Sequence, residues 1–203
     1  MIQINNTKKD GGFALLITII TLSVVVAVTL SIVELSLMQL KLSVDSKDSE
    51  IAFHAANAGL ECARYTRRIQ SDQFETGANA TFNCFDDSAS VAKQASLGFI
   101  TSPASIPVAD GQVNRYKRDI TWGTAPEERC TSIDIIAIIA TTTVTIGGSG
   151  VDSLKNKING YENDTKVCAT GERCTIMSVT GYSSACSAIS SPSTLRREIL
   201  LEL

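Results

Sequence analysis

His54 is the only histidine among the 203 residues. A general base or metal centre built on it would need carboxylates, thiols or hydroxyls brought in from elsewhere, and no motif around it supplies them. Serines stand beside glycine in GGSG (147–150) and GYSSAC (181–186). Neither is the G-x-S-x-G that raises a nucleophilic serine on a strand-to-helix turn. GGSGVDS also lacks the lysine of a phosphate-binding loop. Asp86 and Asp87, or Glu127 and Glu128, would hold calcium only with several further oxygens, and read as turn residues. Asn79 and Asn163 open N-x-T triplets, a pattern common by chance. The expectation is a protein without a catalytic centre, a cofactor or a metal.

The cysteines carry more information. Cys62, Cys84, Cys130, Cys168, Cys174 and Cys186 all follow a long apolar run. An even count confined to a part that would be exported points to disulfides. No C-x2-C occurs, and the closest spacing is that of CATGERC (168–174), which disfavours zinc. Gly171 suits a turn, so Cys168 and Cys174 are expected to close a small hairpin. A Cys62–Cys84 bridge would pin the loop that follows a helix onto that helix. The full connectivity stays open.

The element that would position everything else is the apolar run. No charged residue occurs from 13 to 33. At about 1.5 Å per residue this is a helix of about 30 Å, enough to cross the hydrocarbon of a bilayer. Phe13, Leu16, Ile17, Ile20, Val24, Val28 and Val33 lie along it. A cleaved secretory signal has an apolar core of about 7–15 residues and a small-residue cleavage site, and this run is longer and lacks that site. Lys8 and Lys9 precede it; Glu34, Asp45, Asp48 and Glu50 follow, so the N-terminus is expected in the cytoplasm and the remainder outside.

The helix does not stop where the membrane would end. Between 33 and 69 there is no proline and no glycine before Gly59. Apolar or small residues recur in steps of three and four at Val33, Leu37, Leu40, Val44, Ile51, Ala55, Ala58, Cys62, Tyr65 and Ile69. This predicts an amphipathic continuation that lays one stripe on a globular domain. Ala52, Ala55, Ala56, Ala58, Gly59 and Ala63 keep that part thin, allowing close approach by a sheet.

These stretches resemble a type IV pilin. KKDGGFALLITI (8–19) is similar to a prepilin leader: a basic pair, Gly12 as last leader residue and Phe13 as new N-terminus. The resemblance implies cleavage after Gly12 by a prepilin peptidase and N-methylation of Phe13. AFHAANAGLECARY (52–65) resembles a segment of PilX-type minor pilins, with Asn57 in place of a usual glutamate. CTIMSVTGYSSAC followed by STLRREILLEL resembles, more loosely, the closing strands and glycine turn of a pilin head. One departure stands out. Major pilins carry glutamate at the fifth mature position, and here that residue is Ile17. A carboxylate in the membrane is costly and therefore functional; its absence favours a minor pilin.

The implied fold is α+β: a leader (1–12), a membrane or filament-core helix (13–33), its amphipathic continuation (34–69), and a head (70–203) with an antiparallel sheet. Packing of helix on head would use Ile51, Ala55, Ala58, Gly59 and Cys62. Implied partners are other pilin subunits, the prepilin peptidase, the inner-membrane assembly machinery and the membrane before assembly; any surface ligand is unspecified. Localisation would be the cytoplasmic membrane first and an extracellular filament afterwards, serving adhesion or another filament task. The alternative is a signal-anchored surface protein that binds a partner and never polymerises. Nucleic acid is not expected as a partner, because net charge is −3 and no basic run exceeds two residues.

Within the head, 71–83 reads as loop and 88–99 as a short helix. An extended loop follows around Pro103 and Pro107. Strands are expected at 114–122, across 132–146 with a break near Ala140, at 174–182 and at 195–203, while 155–165 is a polar excursion. The sheet would have about four or five strands, one face on the helix stripe.

Overall fold

The computed structural model describes residues 11–85, 87–91, 113–125, 127–150, 153–158 and 160–203. The leader, Asp86, the proline loop and most of the helix expected at 88–99 lie outside the described residues. The chain forms two compact units, residues 1–46 and 47–203.

The first unit is helix throughout its described part, the opening stretch of α1 (Gly11–Ile69). Each described side chain from 13 to 46 is exposed. A helix with apolar residues on all sides and no cover is the pattern of a lipid-facing or bundled helix. By length and composition it can cross a membrane.

The second unit begins with the remainder of α1 and adds α2 (Ser71–Thr76), ended by Gly77 in the left-handed region at φ 72°. Next come β1 (Ala80–Cys84) and β2 (Asp87–Val91), an antiparallel pair. Residues 71–83 are therefore not loop throughout. Residues 88–91, expected in a helix, are strand because β1 offers them a ladder. The Gln70 side chain works as a surrogate strand: it accepts the N–H of Thr81 at 2.7 Å and donates to that residue's carbonyl.

The main sheet contains β3 (Val113–Trp122), β4 (Arg129–Ile139), β7 (Arg173–Tyr182) and β8 (Arg196–Glu202), all antiparallel, in the order β3-β4-β7-β8. Between β4 and β7 the chain leaves to form β5 (Val144–Gly147), α3 (Leu154–Lys157) and β6 (Thr165–Cys168), with β5 and β6 paired as a separate ribbon.

Alternation along β4 divides the core. Ile133, Ile135 and Ala137 join Phe74, Phe82, Tyr116, Met177 and Val179 under α1 and α2. Ile136 and Ile138 join Ile146, Leu154, Ile158 and Tyr161 of the excursion on the opposite face. Both faces of β4 are thus covered, which is why SIDIIAII runs nearly without a polar break. Polar anchors hold α2 down: Asn114 donates to the Phe74 carbonyl at 2.7 Å, and the Tyr116 hydroxyl donates to the Ala78 carbonyl at 2.7 Å.

Candidate assembly helix and its seat on the sheet

Phe13, Leu16, Ile17, Ile20, Val24, Val28 and Val33 are all large apolar residues without cover, Phe13 at 73% exposure and Ile17, the most covered of them, at 44%. Gly12 is helical backbone within α1. The apolar run contains hydroxyl side chains as well, and they could have marred it. Each instead turns back onto the helix. Thr18 donates to Leu15 at 2.8 Å, Thr21 to Ile17 at 3.0 Å and Ser23 to Ile20 at 2.7 Å. Thr29 donates to Val25 at 3.0 Å and Ser31 to Ala27 at 3.0 Å. The polar atoms of this stretch therefore need neither water nor a second chain, which is the condition for residence in hydrocarbon.

In the second unit, the face of α1 that meets the sheet is made of Ala52, Ala55, Ala56, Gly59, Cys62, Ala63 and Thr66, each buried. Of the packing residues expected from sequence, Ala55, Gly59 and Cys62 lie in this seam. Ile51 and Ala58 are half-buried at its border. Tyr65 and Ile69, placed on the stripe by periodicity, are 60% and 63% exposed. The seam is turned away from them because the sheet comes too close for large side chains.

That closeness has two sources. A Cβ added to Gly59 would stand 2.1 Å from Thr131 Cγ2 and 2.8 Å from Val179 Cγ1. A Cβ added to Gly181 would stand 2.2 Å from the Ala52 carbonyl oxygen and 2.3 Å from the Ala56 nitrogen. Gly181 lies inside β7, within the strand expected at 174–182, where it serves this approach. Thr131 completes the seam: its hydroxyl donates to the Ala55 carbonyl at 3.1 Å and accepts the Trp122 indole N–H at 2.9 Å. Arg197 of β8 donates to the Ser49 hydroxyl at 2.6 Å and 2.8 Å.

Three disulfides fix the head: Cys62–Cys84, Cys130–Cys186 and Cys168–Cys174. The first joins α1 to the end of β1. The second joins β4 to the 3-10 turn Cys186–Ala188 before β8. The third does not close a hairpin. β6 pairs with β5 and β7 with β4, so this bridge links the ribbon to the main sheet.

On the face away from α1, Arg115 and Asp134 form a two-pronged ion pair with side chains 11% and 13% exposed. The hydrogen bonds to Asp134 raise the Arg115 pKa against the lowering effect of burial. The excursion is tied by charge too. Lys155 and Ser153 hold Asp164 at 2.9 Å and 2.5 Å, and Lys166 pairs with Glu202.

His54 is exposed on α1, with its Nε2 3.7 Å from Glu50. Comparison with protein-family models, with curated proteins and with solved structures finds no match to this chain.

Proposed function

We propose that the chain is a subunit, of the minor kind, in a type IV pilus or a related filament. Its architecture is pilin-like: a long N-terminal apolar helix with its second part seated on a four-stranded antiparallel sheet. The observation that carries the reading is the contrast along α1. Up to residue 46 it has no covered face, and from 52 to 66 it is sealed to a head. The first part would reside in the cytoplasmic membrane with its N-terminus inside, and then be moved by the assembly machinery into a bundle of like helices. Both surroundings are apolar, so the transfer costs little. Ile17 in place of a carboxylate supports a minor rather than a bulk subunit. The proposed work is assembly; no substrate is assigned.

Co-expression with a prepilin peptidase tests this. The expected product lacks the leader 1–12 and starts at an N-methylated Phe13. Replacing Gly12 by a bulky residue should trap the precursor in the membrane and remove the protein from sheared filaments. An unshortened chain that still reaches the cell surface overturns the proposal in favour of a signal-anchored surface protein.

A further inference from the structure

A groove of about 630 Å³ opens beside the last turns of α1. Arg64, Arg67 and Arg68 come from the helix and Arg173 from β7, against Glu61 and Glu75 as the acids. The arginines are not equivalent. Arg64 pairs with Glu61 at 3.0 Å. Glu75 is shared, 2.9 Å from Arg173 and 3.7 Å from Arg67. Arg67 is only 13% exposed, and burial lowers its pKa, opposed by Glu75 and reinforced by Arg173. Arg68 is exposed and makes no ion pair among the described residues. The helix dipole favours cations at Arg67 and Arg68, but Arg173 owes nothing to it. Counting side chains, four arginines against two glutamates leave an excess of two positive charges beside the apolar Tyr65, Met177 and Leu203. Apolar side chains beside an excess of cations suit a polypeptide carrying both leucines and carboxylates, and suit a bare phosphate poorly.

The same chain contains such a polypeptide. Residues 34–50 read ELSLMQLKLSVDSKDSE, with Glu34, Asp45, Asp48 and Glu50 against Lys41 and Lys47. The excess is two negative charges. Leu37, Met38, Leu40, Leu42 and Val44 are each more than half exposed, past the end of the uncharged run. Leucines left in water at this density call for a cover.

We propose that the arginine groove of one copy receives residues 34–50 of a second copy. The contact is head-to-tail: groove and segment are different surfaces, so it need not close on itself and can extend from copy to copy. Opposite charges set its register, a task Ile17 does not perform. The contact rests on the filament reading and deepens it.

The test uses a labelled peptide of residues 34–50, titrated into the full-length chain in detergent micelles at about 50 mM salt, where surface charges are weakly screened. Saturable binding is expected. It should weaken about tenfold for Arg64→Ala with Arg68→Ala, a change of about 1.4 kcal/mol, and similarly when the four acids of the peptide become Gln or Asn. Because Arg64 and Arg68 are exposed, the melting temperature should not move. Arg68→Glu should be rescued by a peptide with Asp45 and Asp48 changed to Lys. Equal binding of the neutral peptide, indifference to the arginine changes, or tighter occupation of the groove by a single-stranded oligonucleotide overturns the contact. Loss of peptide binding alongside normal leader removal and recovery in filaments sinks the contact alone. Peptide binding without leader removal sinks the filament reading alone.

Discussion

Gly181 on β7 and Ala52 on α1 stand so close that a single methyl on the glycine would lie 2.2 Å from the alanine's carbonyl oxygen. Gly181→Ala is therefore expected to damage the seat of the helix severely. The obstacle is helix backbone, which cannot rotate aside, so a loss of about 3 kcal/mol, at the upper end of overpacking, is expected. At Gly59 the obstacles are side chains of Thr131 and Val179, and alanine is the better helix former by about 1 kcal/mol. Gly59→Ala should cost less than Gly181→Ala. Urea denaturation of the two variants checks the order.

The Arg115–Asp134 pair offers a second measurement. Asp134→Ala removes the paired carboxylate from a guanidinium in a site 11% exposed, to which the Lys157 carbonyl stays within 3.3 Å. A loss of about 3–5 kcal/mol is expected. The joint change Arg115→Met with Asp134→Leu should recover most of it, because the desolvation cost of both ions disappears. Chemical denaturation of the single and double variants decides. Equal losses would mean that the site needs charge for a reason other than pairing.

Removing the disulfides one at a time should rank them by the length of chain they close. Sequence separations are 56 for Cys130–Cys186, 22 for Cys62–Cys84 and 6 for Cys168–Cys174. The chain-entropy relation gives about 4, 3 and 2 kcal/mol respectively. Paired Cys→Ser variants followed by thermal melting test the order.

Acid should loosen the excursion around α3 and β6 before the main sheet. Asp164 has a lowered pKa through its hydrogen bonds with Ser153 and Lys155. For Glu202, burial pushes the pKa up, but Lys166 and Tyr161 outweigh it and the net shift is downward. A carboxylate with a depressed folded pKa contributes stability above the ordinary carboxylate range near 4, and that contribution is lost as pH falls through the folded value. Tyr161 acts at the other end. Burial, then its hydrogen bond to Glu202, raises its pKa, so its contribution is complete below about pH 10 and falls away above it. Amide exchange across 153–168 at pH 7, 3 and 11 should show faster opening at both extremes.

The long helix was legible because one local rule governs it: no proline and no glycine from 13 to 58, and apolar residues in steps of three and four. The break between β4 and β5 near Ala140 was legible because 132–146 is too long for one average strand. The face of α1 was harder. Hydropathy also selected Tyr65 and Ile69, which the sheet leaves exposed, whereas the small residues Ala52, Ala55, Ala56, Gly59 and Ala63, legible as a thin stretch open to close approach, are buried in the seam, joined by Thr66, which no pattern marked. ATFNC and DSASV carry weak strand signals, and each became a strand because the other lies beside it. The ribbon formed by β5 and β6 left the Cys168–Cys174 bridge looking like a hairpin closure. The groove was not visible at all, since Arg173 joins Arg64, Arg67 and Arg68 only after β7 is laid against the helix.

The seam between α1 and the sheet joins parts of the chain that are made at very different times. Ala55 meets Thr131 across 76 residues, and Ser49 meets Arg197 across 148. Contacts of such long range form slowly. During synthesis from the N-terminus, the alanine face of the helix therefore exists well before the strands that will shelter it. The newborn chain passes through an interval in which that face is open to any passing partner, and β7, which brings Val179 and Gly181 against it, is the strand that ends it.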